Sequence, residues 1–372
     1  MTMLSERISQ SAFDGSRLRV VLLLDLHDGA QQRFLEAYEH LCNQVASVPG
    51  HLSDQLCQSI ENPSQWLITS EWESAPPFLA WVNSEEHVEM VQPLHGCVRD
   101  TRSLRFSVMR ETAHGADSAP EPVKGNFPAS PRVGDGIVRH ALTFTVKPGS
   151  EPKVAEILAG YTSPEARVDD TTRLLRTTLF LHGNRVVRAV EVQGDLVAAL
   201  RYIARQPEIR QVEEAINPYL EQDRDLSDPN SARMFFTRAA LPAVHHVAAG
   251  AATPADVSRH ALFYPAREGC GMALARLLAQ QDEAAAGDPA SPVAASTVFQ
   301  RDDVVVRLVD LTAAPESDPA AVLGVRGARK TEVLRRLLDT GQAGELSDDR
   351  DLARFLARCD MRLITDRRSP RP

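Results

Sequence analysis

The sequence predicts an α+β fold of three tandem ferredoxin-like units that pair through their antiparallel sheets, and three observations carry that reading. The first is a repeat: Arg139-His140-Ala141-Leu142 returns as Arg259-His260-Ala261-Leu262, 120 residues later. The second is its companion. Thr178-Leu179-Phe180, a short turn and Val186-Val187-Arg188-Ala189-Val190-Glu191 return as Thr297-Val298-Phe299, a turn and Val305-Val306-Arg307-Leu308-Val309-Asp310, offset by 119 residues. Two motifs at nearly one period mark a duplicated domain. The third is a more distant copy ahead of both: a strand-like run from Leu18 to Leu26, a helical run after Gly29, then Trp66-Leu67-Ile68-Thr69-Ser70-Glu71-Trp72. Aligned on the second strand of the hairpin, Glu71, Glu191 and Asp310 fall at one position. Each unit closes on a similar strand: Leu104 to Val108, Arg233 to Thr237, and Met361 to Thr365.

In unit one, Leu18 to Leu26 is apolar at nearly every position and reads as a strand covered on both faces. A helix follows from Ala30 to Ser47, with Phe34, Tyr38, Leu41 and Val45 on one face, and Pro49-Gly50 stops it. Next come a strand over His51 to Ile60, a turn at Glu61-Asn62-Pro63-Ser64, and the return strand Trp66 to Glu73. Helices span Ala75 to Asn83 and Ser84 to Leu94, the second with Ser84 as N-cap and Glu85 and Glu86 in its first turn. A strand over Ser103 to Met109 completes the β-α-β-β-α-β order of a split βαβ unit.

Unit two repeats the order, with His182-Gly183-Asn184-Arg185 as a tight hairpin turn. Its expected strands are Ile137 to Val146, Arg173 to Leu181, Val186 to Val192 and Met234 to Arg238. Its helices are Glu151 to Gly160, and Asp195 to Gln222 interrupted at Pro207 and Pro218. Unit three places strands at Arg259 to Tyr264, Ser296 to Gln300, Val304 to Leu311 and Met361 to Thr365, with helices at Gly271 to Ala285, Arg329 to Asp339 and Asp348 to Ala357. Two stretches rich in proline and small residues read as linkers. The expected domains are therefore 1–111, 137–238 and 257–372, joined by linkers 112–136 and 239–256. A ferredoxin-like sheet carries helices on one face only, yet these first strands are apolar on both. Burying the second face against another sheet is a large stabilising term at roughly 25 cal/mol per Å², so the units are expected to pack in pairs.

Composition narrows the function. The chain has 43% hydrophobic and 24% charged residues, the balance of a globular protein. A net charge of −9 leaves no basic footprint for nucleic acid, and no apolar run approaches the roughly 18 residues of a membrane span. No signal-peptide core opens the sequence, which points to a cytoplasmic location. Five cysteines, no two close in sequence, fit neither a disulfide framework nor a zinc site. His245-His246 are adjacent in an expected linker and would diverge on a strand, and there is no His-Glu-x-x-His, P-loop or Gly-x-Gly-x-x-Gly motif.

The run Val20 to Leu26, the turn Asn62-Pro63-Ser64-Gln65-Trp66, the strand through Glu71-Trp72-Glu73-Ser74, and Trp81-Val82-Asn83-Ser84-Glu85-Glu86-His87 resemble the antibiotic biosynthesis monooxygenase (ABM) superfamily of dimeric α+β barrels. Arg139-His140-Ala141-Leu142-Thr143-Phe144-Thr145-Val146-Lys147-Pro148-Gly149-Ser150-Glu151 resembles the SchA/CurD-like domain of aromatic polyketide clusters. Unit three is similar mainly to unit two. The resemblance implies work on polycyclic aromatic polyketides alongside polyketide cyclases, and a monooxygenase that uses molecular oxygen as co-substrate with no metal, flavin or haem. An electron-rich polyphenolate can itself pass an electron to O₂ if the protein binds it, favours its deprotonated form and excludes water.

On the resemblance, Asn62 and Trp66 match an amide and an indole that hold substrate oxygens; the residues alone also read as a hairpin turn and a core aromatic. His87 stands where similar proteins often have a histidine, and an imidazole is in general able to take a phenolic proton near neutral pH, though a lone histidine on a helix is commonly surface or core. His51, Trp72 and His95 are further candidates for the same pocket. Unit two has no counterpart of His87, and Val186 and Val192 replace Trp66 and Trp72. Units two and three are then scaffold, or hold a different pocket built from His140, His182, Tyr202 and Tyr219. Arg188 and its counterpart Arg307 either bind a substrate carboxylate or pair with a neighbouring acid. A non-redox cyclase or chaperone is the competing activity, and a structural partner of a biosynthetic complex the third reading. An odd number of units favours a homodimer, in which unit one finds its partner on a second copy.

Overall fold

The computed structural model describes residues 7–108, 134–222, 224–250, 256–343, 346 and 348–369. They form two bodies, one drawn from 12–131 and the other from the segment ending at Ser11 together with 132–372. No described helix is long and apolar enough to cross a membrane.

In chain order the elements begin with the short strand β1 (Ile8–Ser11), which belongs to the second body. The first body then runs β2 (Leu18–Leu26), α1 (Gln31–Val45), β3 (His51–Gln58), β4 (Gln65–Trp72), α2 (Ala75–Val82), α3 (Glu85–His95) and β5 (Val98–Ser107). Its four strands lie in the antiparallel order β3-β4-β2-β5. The spacing of Phe34, Tyr38, Leu41 and Val45 does place all four in the core under α1. Prolines 76 and 77 sit in the first turn of α2, where a missing N–H costs no helical bond. Gly50 is held at φ +84°, and a Cβ there would lie 2.7 Å from the Pro77 ring. Only glycine lets the start of β3 approach α2 this closely.

The second body continues with β6 (Ile137–Thr145), α4 (Glu151–Gly160), β7 (Arg173–His182), β8 (Arg185–Gln193), α5 (Leu196–Arg205), α6 (Pro207–Ile216), α7 (Pro229–Ala239), β9 (Ala240–Ala248), β10 (Ser258–Pro265), α8 (Gly271–Ala285), β11 (Val293–Arg301), β12 (Val304–Leu311), α9 (Pro319–Val322), α10 (Ala328–Leu337), α11 (Thr340–Ala343), α12 (Asp349–Cys359) and β13 (Arg362–Arg368). Its sheet has the order β10-β12-β11-β9-β6-β8-β7-β13, with β1 added beside β9. The two ends meet, because Leu262 of β10 bridges Asp360 and the Met361 amide donates to the Ala261 carbonyl at 2.9 Å. The sheet is therefore a barrel whose closing strands are exchanged: β9, from unit two, pairs with β11 of unit three, and β13, from unit three, pairs with β7 of unit two. Closure and exchange leave each unit's second sheet face buried against the other, in a core that gathers Ala141, Phe180, Val187, Ala189, Leu241, Ala261, Phe299, Val306, Leu308 and Met361.

The repeat is visible in side-chain chemistry. An arginine on the first strand of each unit stands opposite an acid on the third: Arg19 and Glu71, Arg139 and Glu191, Arg259 and Asp310. In the first body the Arg19–Glu71 pair is half-exposed. Inside the barrel the network is buried: Arg259 donates to Asp310 and to Glu191 at 2.7 Å, and Arg176 donates twice to Asp366 at 2.7 and 2.5 Å. The two hairpins also correspond, Gly183 (φ +53°) in one and Asp302 (φ +51°) in the other.

Three expectations need correction. Residues 234–238, read as the closing strand of unit two from their likeness to the closing strands of the other units, lie in helix α7, where Phe235 and Ala239 face the core one turn apart. The stretch 239–256, read as a linker from its alanines and Pro242, contains the real closing strand β9. That strand is buried on both faces, so it lacks the polar alternation that marks a strand with one wet side. Residues Ile8–Ser11, counted with unit one, pair with β9 of the barrel. Most of the first expected linker, 112–136, lies outside the described residues.

Candidate functional site

In the first body the helices cover the face of the sheet that carries Leu18, Val20, Leu22 and Leu24 of β2 and their ladder partners Trp72, Ser70, Ile68 and Trp66 of β4. The edge strand β3 joins this face through an irregularity. His51 pairs with Trp72, but Ser53, two residues on, pairs with Glu71, so Leu52 is an extra residue in the ladder. In a regular strand residues three apart point to opposite faces. The bulge cancels one step, and His51 and Asp54, opposite Trp72 and Ser70, both reach the helix-covered side. The His51 Nε2 and Asp54 Oδ2 atoms lie 3.0 Å apart, with the imidazole 6% exposed; the contact is out of line for a full hydrogen bond.

A row of rings continues from His51. Its imidazole meets the fully buried Trp72 edge-on at 5.1 Å, Trp72 contacts Phe78 at 5.4 Å and Trp81 at 5.3 Å, and Trp81 meets the His87 imidazole at 4.3 Å. Ser84 sets the last contact. Its hydroxyl donates to the Trp81 carbonyl at 2.8 Å and accepts from the His87 amide at 3.1 Å, capping α3 and fixing both side chains to one corner. The Trp72 indole donates to Ser70 Oγ at 3.1 Å. The Trp81 indole nitrogen is buried with no hydrogen-bond partner among the described residues, an arrangement that costs about 1–3 kcal/mol unless something accepts from it. Tyr38 of α1 adds a phenol whose pKa burial, reinforced by the nearby Asp54 carboxylate, pushes up to about 12. The site thus combines flat apolar walls, an unused N–H donor, two imidazoles and a neutral phenol, a set suited to a ring system bearing oxygens.

The structure divides the residues expected to act together. Asn62 is exposed in the hairpin turn, its Oδ1 accepting from the Ser64 amide and hydroxyl at 3.1 and 2.9 Å. The Trp66 indole donates to the Pro63 carbonyl at 3.1 Å and packs on Phe34. Trp66 and Trp72 are ladder partners of Leu24 and Leu18, about 20 Å apart along the strand at roughly 3.3 Å per residue. His87, Trp72 and His51 therefore share one end of the sheet, and Asn62 and Trp66 the other. His95 closes α3, about 12 Å along the helix from His87 at 1.5 Å per residue.

The corresponding face of units two and three is built differently. Arg188 donates to Glu213 at 3.1 Å, and Glu213 also meets Arg224 at 2.7 Å. Its counterpart Arg307 is fully buried with Asp282, donating through Nε at 2.9 Å and Nη2 at 2.5 Å. Each arginine thus pairs with a neighbouring acid at the position held by Ile68 in unit one. His140 and His182 stand on opposite faces of the sheet: Val190, the ladder partner of His140, packs under α5, whereas His182 contacts Phe263 at 5.5 Å. Tyr202 donates to Glu165 at 2.6 Å, and Tyr219 lies against the helical core. The four do not converge. His245 and His246 sit on β9 rather than in a linker; His246 bonds Thr297 Oγ1 at 2.9 Å.

Trp81, Asp54, Phe78 and Tyr38 were not singled out from the sequence. All three tryptophans of the chain lie in unit one, a bias that marks the aromatic site. Asp54 was hidden by the bulge, since strand alternation puts it opposite His51.

Comparison with known proteins follows the division into units. Residues 137–249 match the SchA/CurD like domain, and residues 17–93 match the antibiotic biosynthesis monooxygenase domain. Over 367 residues the chain is 64% identical to polyketide synthase CurD of Streptomyces cyaneus, spanning 98% of each protein. It is 62% identical to protein SchA of Streptomyces halstedii over 98% of this chain and 97% of that protein. It is 61% identical to a 42.8 kDa protein in the whiE locus of Streptomyces coelicolor, over 97% and 90% of the two. Among solved structures, SnoaB, a cofactor-independent oxygenase from Streptomyces nogalater, is 15% identical and covers 27% of this chain and 98% of its own, with a TM-score of 0.25.

Proposed function

Because the chain belongs to the SchA/CurD family, we propose that it acts on an aromatic polyketide intermediate, alongside polyketide cyclases, and that unit one is a cofactor-independent monooxygenase that forms a quinone or hydroxylates a ring. The observation that carries this reading is the buried Trp81 N–H with no partner among the described residues, set among Trp72, Phe78 and two imidazoles. A polycyclic phenol stacked there would give its oxygen to the indole donor and its proton to an imidazole. The resulting carbanion or phenolate passes one electron to O₂, and the radical pair joins through a C–O bond as a peroxide. The peroxide takes up the proton, its O–O bond breaks, and a ring CH₂ becomes C=O with release of one water. One oxygen atom enters the ring and the other leaves as water, so no external reductant is required.

Units two and three serve as scaffold in this reading, since Arg188 and Arg307 are occupied by Glu213 and Asp282. The open sheet face of unit one, with Leu23 and Phe106 41% and 51% exposed, corresponds to the face that units two and three bury in each other. A second copy of unit one covers it, giving a homodimer.

The test is oxygen uptake by the purified protein, stripped of metal and flavin, with a polyphenolic anthrone, followed by product mass. The quinone mass with stoichiometric O₂ consumption supports the oxygenase. Replacing Trp81 with Phe, which keeps the ring and removes the donor, should cut turnover at least about tenfold, the worth of one hydrogen bond of roughly 1.4 kcal/mol. Binding without oxygen uptake would favour a non-redox cyclase or chaperone, a reading that draws support from the larger share of the chain devoted to a barrel without the aromatic row.

A further inference from the structure

The bulge at Leu52 is the least expected feature of unit one, and it has one visible effect: it brings His51 and Asp54 onto the face that carries Trp72. Bulges re-aim side chains and recur beside active sites. We propose that His51 is the imidazole that takes the substrate proton, and that Asp54 is its positioning residue, brought into reach by the bulge. This rests on the oxygenase reading of the same site and deepens it by choosing between the two imidazoles.

The carboxylate faces Nε2 at 3.0 Å. An ionised Asp54 therefore favours the tautomer with the proton on Nε2 and leaves Nδ1 as the acceptor. When the substrate proton arrives on Nδ1, the same carboxylate stabilises the imidazolium without itself being protonated, and the proton then returns to the peroxide. The bent contact suits a resting state, since catalytic hydrogen bonds often align only with substrate bound. Burial keeps the exchange dry: the His51 side chain is 6% exposed, Asp54 16%, and the neighbouring Trp72 not at all. The titratable and charged groups around the pair, among the described residues, include Tyr38 from α1, Glu73 past the end of β4, which approaches Gly50, and Arg105 of β5, whose guanidinium lies over the Phe78 ring at 5.3 Å; Ser70, Trp72 and Phe78 are neutral. Tyr38 stays protonated well above neutrality and so does not compete for the proton.

The experiment uses the full chain with histidine ¹⁵N labelling, and the variants Asp54→Asn, His51→Gln and their combination. In the parent, His51 should show the Nε2–H tautomer; in Asp54→Asn it should lose that preference. With an anthrone, His51→Gln should lower kcat by about 10²–10⁴-fold, the usual worth of a general base. Asp54→Asn should lower it at least about tenfold with little change in KM, and the double variant should be no slower than His51→Gln alone. Additive losses in the double variant, or an unchanged His51 tautomer in Asp54→Asn, would overturn the pairing. If the parent consumes no oxygen, the functional reading fails, while the tautomer still decides whether Asp54 governs His51. Deleting Leu52 should move His51 off the site and reproduce the Asp54→Asn tautomer change; native tautomer and rate after the deletion would remove the role given to the bulge.

Discussion

Replacing Asp282 with alanine removes the one carboxylate that faces Arg307 among the described residues, and the structure sets the size of the effect. Both side chains are completely buried. The guanidinium has three bonds to Asp282, one to Ser296 Oγ at 3.2 Å and one to the Val322 carbonyl, and Ser296 Oγ in turn donates to the carboxylate at 2.6 Å. Removing one partner of such a pair strands a buried charge and costs about 3–5 kcal/mol. For a body of this size each kcal/mol moves the midpoint by roughly 2–4 °C, so Asp282→Ala should lower the thermal transition of the barrel by about 6–20 °C. The assay is calorimetry beside tryptophan fluorescence. Because all three tryptophans lie in unit one, the fluorescence transition should stay near its parent value while the barrel transition falls. Replacing both residues by apolar ones of similar volume, Asp282→Leu with Arg307→Met, should restore most of the loss, since a buried pair repays little more than its own desolvation. A shift under 2 °C for Asp282→Ala, or a double variant worse than the single one, would refute the argument that this pair fills a structural position.

Gly50→Ala should destabilise unit one by roughly 1–3 kcal/mol through its left-handed backbone and the contact with Pro77, read as an earlier fluorescence transition with the barrel transition unmoved. His246 is held neutral well below the ordinary imidazole range, first by burial and then by the Arg139 and Arg259 guanidinium groups and His245, with Asp135 opposing. The unfolded chain thus binds the proton that the folded chain refuses. Barrel stability should be complete above pH about 6.5 and decline as pH falls below it, and His246→Gln should flatten that slope in calorimetric midpoints measured from pH 5 to 8. Leu23→Arg combined with Phe106→Arg should convert a dimer to a monomer in analytical ultracentrifugation without lowering the fluorescence transition; an unchanged mass would discard the homodimer.

The repeat was legible because duplicated strands keep the same demands: Arg259 and Asp310 stand opposite each other for the reason that Arg139 and Glu191 do. Helix α1 was legible from the spacing of its apolar residues, which one face of a helix requires. The exchange of closing strands was not, because β9 is buried on both sides by elements far away in sequence, and nothing local distinguishes such a strand from an alanine-rich joint. Within unit one, Trp72, His87 and His51 could be picked out by residue type. Their gathering could not, since it depends on a one-residue irregularity in β3 and on a serine cap that folds α3 back on α2.

The short strand β1 has a consequence for the order in which the molecule is made. Ile8 pairs with Ala248 and Ser11 with His245, so this strand waits for partners made more than 230 residues later. At roughly 5–20 residues per second that is a delay of about ten seconds or more, during which unit one, all of whose strand partners are near in sequence, can finish folding. The barrel cannot follow suit, for β7 has its outer neighbour only once Arg362–Arg368 emerges. Synthesis therefore passes through a chain with a complete first body and an open, two-edged half-barrel, which β13 completes only after β1 has already found β9.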